Sequence, residues 1–521
     1  MQTQVLIIGA GVTGTGLARD LAMRGVDCVV VDKQDVNAGA SGGNHGLLHS
    51  GARYIASDAA AAAECHAENR ILKRIAPHCI EATGGLFVAV AGDDENYITD
   101  FADACRRCRV PVMAVEPKDA LEMEPALSRR LIAAFAVDDA TIDPFRLSLN
   151  NMAGARQAGG RLLRHHRVTG FEVHAGRIRH TRLRDEITGR DLFVAADVVV
   201  NAAGAWAGTV AGLAGAPLPM RCSKGTLLVT QSRLASRVIN RLRRPTDGDI
   251  LVPGGTVSVL GTTSARVADP DGVYPEIDEV DAIIAQGAAM IPELATSRYI
   301  RAFCGVRPLP GDGAAFADGD GDDRAASRGF LLMDHHRAPE RLANFITITG
   351  GKLTTFRLMA EKTADLVCER LGVVAPCRTH CEPLPDATTE RWTQPGLAPA
   401  EWWRRKAGGD LLLCECEIVP QSTVDQIVAG LGALGGRPNL NAVALRSRIG
   451  KGPCQGTFCS QRLAAYLYDR GHLAGDVGIE QLRLFLRERW RGQRPLLWDL
   501  PLAQAELLEA MHCGLFGLEL D

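Results

Sequence analysis

Apolar residues open this chain as a short continuous run, Val5-Leu6-Ile7-Ile8, the length of a strand buried on both faces. Gly9-Ala10-Gly11-Val12-Thr13-Gly14 follows, then a stretch of helical periodicity to about Arg24, then Val29-Val30-Val31 closed by Asp32. The first 32 residues therefore predict a βαβ unit. Residues 59–76 read as a long helix, and strand-like runs recur at 86–90, 198–201, 257–261 and 345–349 between amphipathic stretches. This alternation predicts a mixed α/β (α+β) fold with an added antiparallel sheet. The stretch 311–328 is acidic and low in complexity and reads as a mobile surface loop; prolines and a Trp-Trp-Arg-Arg cluster over 373–410 read as a linker. Residues 411–470 read as a compact cysteine-bearing unit, and 471–521 as a helix with an apolar, Leu-rich end, suited to docking or to core packing.

Composition narrows the function classes. With 58 basic against 61 acidic residues there is no electrostatic footprint for nucleic acid. No apolar run reaches the ~18 residues of a membrane span, and Met1 to Gly11 lacks the basic start of a secretion signal. Fifteen cysteines, an odd count, point to thiols in a reducing compartment, with paired spacings read as ligands before disulfides.

Gly9-x-Gly11-x-x-Gly14 sits between a strand and a helix, which is where a dinucleotide fingerprint works. Gly9 makes the tight turn, Gly11 admits the pyrophosphate, Gly14 permits close packing, and Asp32 accepts from a ribose hydroxyl. FAD rather than NAD is favoured by the motif's N-terminal place and by two later segments. Val199 to Trp206 is a strand ending in small residues, among them Ala203 and Gly204; Ile346 to Thr354 is a strand, a Gly350-Gly351 turn and a helix start at Leu353-Thr354. A helix N-terminus beside the flavin favours the anion formed on reduction.

Three stretches, Ser41 to Tyr54 (SGGNHGLLHSGARY), Gly305 to Leu309 (GVRPL) and Thr349 to Arg357 (TGGKLTTFR), resemble the FAD-dependent glycerol-3-phosphate dehydrogenase family; Asp143 to Leu147 and Asp249 to Pro253 fit too. With the cysteine module, the chain is most similar to the A subunits of the anaerobic, quinone-linked branch. The resemblance implies a Rossmann-like FAD-binding domain with an inserted antiparallel-sheet substrate domain over 1–372, and a small helical 2Fe–2S domain behind it. It also implies glycerol 3-phosphate as substrate and two partners, a second flavoprotein and a membrane-associated iron–sulfur protein. A quinone reached through them, and a cytoplasmic place at the inner face of the membrane, follow from the same likeness. Ser41, Gly42, His45, Gly46 and Val168 are then expected at the cofactor.

A phosphorylated polyol needs cations for its dianion, and Arg53, Arg307 and Lys352 lie in these stretches, Lys352 serving either substrate or flavin. Tyr54 packs over the site or donates to substrate. Removing a hydroxyl proton asks for a base near neutral pKa, and His49 is the candidate, flavin positioning being its alternative role. His165, His166, His335 and His336 read as surface residues.

Cys414-x-Cys416 and Cys454-x4-Cys459 supply four thiols, enough for a 2Fe–2S cluster or a structural zinc. The tight C-x-C disfavours one tetrahedral ion, and the pattern resembles the bacterioferritin-associated-ferredoxin type of 2Fe–2S domain. Arg446, Arg448 and Lys451 are placed to offset a cluster's charge. Cys105-x-x-Cys108 and Cys377-x3-Cys381 read as free thiols.

Overall fold

The computed structural model describes residues 1–311, 329–386, 403–404, 408–432 and 438–518. Its first sheet has eight strands. Gln2–Ile8 lies between two parallel neighbours, Cys28–Val31 and Asp191–Asn201; Arg161–Leu163 extends the sheet on one side and Phe345–Gly350 on the other. Leu6, Ile7, Val29, Val30, Val199 and Val200 have no exposed surface, which is why these strands read as unbroken apolar runs. Helix Val12–Met23 joins the first two strands and packs against helices Pro144–Gln157 and Phe356–Leu371. The strand order reverses at Gln2–Ile8, and the crevice beyond the strands' C-terminal ends is where such sheets bind ligands.

The chain between these strands builds a second, nine-stranded sheet from segments within 85–137 and 220–310. It is antiparallel apart from one parallel pair, Gly85–Val90 with Val238–Arg241. Its longest ladder joins Met220–Thr230 to Tyr299–Pro310, with Ser223 opposite Arg307 and Gly225 opposite Gly305. The long helix over 59–76 is present as Ala59–Ile75, capped by the Asp58 carboxylate, which accepts from the Ala61 N–H at 2.9 Å.

The C-terminal module is a short hairpin, Leu412–Cys414 with Val419–Pro420, followed by five helices. One core runs through it, from Leu413, Val424 and Leu463 to Leu482, Phe485 and Leu518. The expected boundary at 470 thus falls inside a shared core. Helix Asp476–Gln493 belongs to the module, yet it also packs on strand Tyr299–Pro310 of the second sheet, where Arg301 and Glu488 pair at 2.7 Å. Arg446 pairs with Asp35 at 2.9 Å across to the first sheet's domain, and the Lys451 ammonium lies 4.0 Å over the Phe145 ring. The last helix, Asp499–Phe516, exposes Leu500, Leu507, Met511 and Leu515 along one face, while Cys513 and Phe516 near its end pack against the module's core.

Part of the expected linker is packed down. Thr379 and Leu384 are buried, and Arg19 donates to the carbonyls of Glu382 and Pro383 at 2.8 and 3.1 Å. The acidic stretch beyond Gly311 and linker residues 387–402 and 405–407 lie outside the described residues. Among the described residues no helix is long and apolar enough to cross a membrane.

Candidate active site

The glycine fingerprint does what its spacing requires. Gly9 has φ +109°, and a Cβ there would lie 2.5 Å from the Ala202 carbonyl oxygen. At Gly14 it would lie 1.9 Å from the Gly9 carbonyl oxygen, so this glycine sets the packing of turn on helix from behind the cleft. Asp32 accepts the Ala10 and Gln34 N–H groups, both at 2.8 Å, and burial raises its carboxyl above the usual range. Those bonds leave half of the carboxylate's acceptor sites for a ribose hydroxyl.

From this point a cavity of about 990 Å³ runs continuously to the second sheet. Gly9, Gly11, Asp32, Val168, Ser41, His45, Ala203 and Gly204 all line it. Gly350, Gly351 and Leu353 meet it as a tight turn, with φ of +84° and +72° at the glycines. Gly42, Gly46 and Thr354 stand behind the wall. Cβ atoms at the two glycines would strike the carbonyl oxygens of Asn37 and Ile142 at 2.3 and 2.6 Å, and the buried Thr354 Oγ1 accepts the His49 N–H at 3.1 Å.

At the far end the predicted substrate residues come together. His49 Nε2 is 3.2 Å from the Tyr54 hydroxyl, and the Lys352 ammonium is 4.5 Å above the Tyr54 ring. Asn69 donates to the His49 carbonyl at 3.2 Å and fixes the backbone beneath it. The Arg307 guanidinium donates to Ser223 Oγ at 3.3 Å, to the Thr263 carbonyl at 2.9 Å and to Thr262 Oγ1. Arg53 also faces the cavity, but within an ion pair: Nη2 is 2.7 Å from the buried Asp249, which Arg243 and Thr246 hold in turn. His45 has a buried Nδ1 without a hydrogen-bond partner; burial, then the Arg307 and Arg53 cations, push it down to about 3. It is neutral at physiological pH.

Some of this machinery gives no local signal. Gly225 makes room for Arg307, since a Cβ there would lie 2.4 Å from Nη2. Gly43 and Gly305 let the flavin loop touch the second sheet, with a Gly305 Cβ falling 2.0 Å from the Gly43 carbonyl oxygen. Glu488 and Arg491 reach the cavity wall from the C-terminal module.

Residues 4–366 match the family model described as FAD dependent oxidoreductase. The chain is 41% identical over 542 aligned residues to the A subunit of the anaerobic glycerol-3-phosphate dehydrogenase of Escherichia coli K12, covering 99% of this chain and 97% of the relative. It belongs to the FAD-dependent oxidoreductase family. Within that family it also resembles the A1 subunit of the anaerobic glycerol-3-phosphate dehydrogenase of Haloferax volcanii, at 38% identity over 99% of this chain and 91% of the relative. The glycerol-3-phosphate dehydrogenase of Bacillus halodurans, solved with FAD, shares the fold of this oxidoreductase with a TM-score of 0.66, 21% identity and 96% coverage of each chain.

The oxidoreductase's four module cysteines gather in one place. Cys459 lies beside Cys414 and Cys454, and Cys416 beside Cys454. A Gly452 Cβ would lie 2.5 Å from the Cys416 Cβ, so glycine there lets the loop close over the thiols. Among the described residues no three or more His, Cys, Asp or Glu side chains are arranged around a single ion. The expected counter-charges are mostly engaged elsewhere: Arg446 with Asp35, and Arg448 with Glu417 at 2.7 Å.

The histidine expectation needs correction, whereas Cys105, Cys108, Cys377 and Cys381 are free thiols as expected. His335 is not a surface residue but fully buried, with Nε2 2.8 Å from Thr347 Oγ1 and Nδ1 against Glu340; His165 and His166 are half-buried, and only His336 is exposed. Helix Glu95–Arg107 lies at the surface, yet Cys105 and Cys108 turn inward onto the Phe87–Phe101 cluster, and burial pushes the Cys105 thiol up to about 12. Cys377 donates to Asp20 at 3.0 Å, whereas Cys381 is exposed.

Proposed function

We propose that this oxidoreductase converts sn-glycerol 3-phosphate to dihydroxyacetone phosphate, with its electrons leaving through a 2Fe–2S cluster and partner subunits to a membrane quinone. The observation that carries the reading is the single cavity lined by the glycine fingerprint, His49 and Arg307 together. The activity printed in the names of relatives at 41% and 38% identity supports it. Gly9, Gly11 and the start of helix Val12–Met23 would hold the pyrophosphate, Asp32 a ribose, and Gly350 to Leu353 the isoalloxazine edge. When bound, FAD supplies the acceptor for the substrate's hydride.

The side chains supply the rest. Arg307, oriented by three oxygen acceptors, binds the phosphate through charge-assisted hydrogen bonds worth about 1.5–3 kcal/mol each. His49 takes the hydroxyl proton, and Tyr54 at 3.2 Å fixes the ring. Lys352 adds positive charge above Tyr54, and Arg53, held by an Asp249 that it shares with Arg243, shapes the pocket. Cys414, Cys416, Cys454 and Cys459 hold the cluster, because a dinuclear centre asks two thiolates of each iron rather than four around one ion. The exposed apolar face of helix Asp499–Phe516 is the surface for the partners, a second flavoprotein and a membrane-associated iron–sulfur protein, which hold this chain at the cytoplasmic side of the membrane.

The test is anaerobic bleaching of the flavin by glycerol 3-phosphate, by other polyol phosphates and by 2-hydroxy acids, beside iron and zinc analysis. Bleaching by glycerol 3-phosphate with iron and sulfide present is expected. Bleaching by a hydroxy acid alone overturns the substrate; zinc in place of iron overturns the exit route. Cys416→Ser is expected to abolish the cluster's EPR signal and quinone-linked turnover while leaving substrate bleaching intact.

A further inference from the structure

Helix Asp476–Gln493 presses Phe485 onto the loop that carries Cys454 and Cys459. Cβ atoms at Gly450 and Gly456 would lie 2.5 and 2.6 Å from its ring. One turn further along, the Arg489 guanidinium carbon lies 5.0 Å from the centre of that ring. Its Nε and Nη1 are buried and have no hydrogen-bond partner.

The adjacent carboxylate does not answer this charge. Glu488 is engaged by Arg301 at 2.7 Å, and Arg301 itself keeps a buried Nε without a partner. Two guanidinium groups against one carboxylate leave positive charge buried behind the thiol loop. Three other cations around the module are paired, Arg446 with Asp35, Arg448 with Glu417 and Arg462 with Glu415, whereas the Lys451 ammonium lies over the Phe145 ring rather than in an ion pair. A buried cation without an anion is costly, and such an arrangement is stable when an anion completes it. Burial, then Arg301, push Arg489 down to about 9, while Glu488 and the thiols of Cys459 and Cys454 act in the opposite sense.

We infer that Arg489 is a fixed counter-charge of the cluster and raises its reduction potential. The inference rests on the reading that the four cysteines hold a 2Fe–2S cluster. Such a cluster is anionic and gains one more negative charge with each electron it accepts, so a buried positive charge beside it favours the reduced form. Arg489 touches neither substrate nor flavin in this role; it biases the step by which the centre takes one electron and later gives it up.

The test is an EPR-monitored redox titration of the full chain, as wild type, Arg489→Met and Arg489→Lys, each with its iron and sulfide content measured. Arg489→Met is expected to lower the one-electron reduction equilibrium about tenfold, about 59 mV. Arg489→Lys is expected to stay within about twofold of wild type, because it restores the charge. An unchanged potential in Arg489→Met, or an equal shift in both variants, overturns the inference. If Arg489→Met loses iron and Arg489→Lys keeps it, the counter-charge is upheld; if both lose iron, the residue's role is packing and the inference falls. A wild-type chain without iron and sulfide refutes the cluster itself, an outcome seen before any variant is made.

Discussion

Gly225→Ala separates the anion-holding arginine from the fold that carries it. An added Cβ would lie 2.4 Å from Arg307 Nη2, 2.8 Å from Cζ and 3.1 Å from Nη1, its three nearest atoms. Those atoms are the mobile end of a long side chain, so the strand accepts the methyl group and stability changes by about 1 kcal/mol or less. The guanidinium must then retreat about 1 Å to regain van der Waals separation. Its 3.3 Å bond to Ser223 breaks, and its 2.9 Å bond to the Thr263 carbonyl stretches beyond useful length. Losing one charge-assisted bond to the phosphate costs about 1.5–3 kcal/mol, or about 10- to 150-fold in kcat/KM. KM should carry most of the change, because the phosphate is remote from the reacting carbon. Steady-state kinetics with an artificial acceptor, beside flavin content and Tm, make the measurement. A kcat/KM within threefold of wild type, or a parallel loss of flavin, refutes the assignment of Arg307.

Gly11→Val places a branched side chain from a Cβ 3.0 Å from Ser41 Oγ, in the cleft that would take the pyrophosphate, and the purified variant should carry no flavin; wild-type FAD occupancy would remove the cofactor from this turn. Arg357→Met strands Glu68, which is buried and bonded twice by Arg357 at 2.6 and 2.8 Å, and should cost about 3–5 kcal/mol in chemical unfolding; a loss below about 1 kcal/mol contradicts the pair's burial. His78 is buried, and burial followed by Arg146 pushes it down to about 4. Between about pH 6.5 and 4 the unfolded chain binds a proton there and the native chain does not, so stability falls as pH falls through that window. Urea midpoints at pH 7.5 and 5 should drop less in His78→Asn than in wild type, and equal drops would exclude His78 as the acid-sensitive group.

The first βαβ unit was legible because each requirement is local: an apolar run, three spaced glycines and an acid at the next strand's end. The substrate end was legible only in part. Arg307 and His49 stood in quotable stretches, but Gly225, Thr262 and Thr263 act on Arg307 across strand pairings that no local periodicity encodes. Arg53 showed its charge but not its partner, because Asp249 arrives from 196 residues away. His335 looked like a surface residue beside His336, and its burial depends on Glu340 and Thr347 closing over it. The cysteine spacing announced four thiols, while the helix that completes their core, Asp476–Gln493, reads in sequence as an ordinary charged amphipathic segment.

Helix Asp476–Gln493 also changes what counts as a separable part of this protein. The match to the oxidoreductase family model ends at residue 366, and a shortened chain stopping near residue 410 looks like a natural minimal enzyme. Such a truncation would remove Glu488 and Arg491 from the cavity wall, take the carboxylate from Arg301 and strip Leu496 from the core of the second sheet. The segment covered by the family model is therefore smaller than the unit this chain needs in order to fold around its own cavity. Deleting the cysteine module from this chain opens the wall of the cavity as well as removing the four thiols.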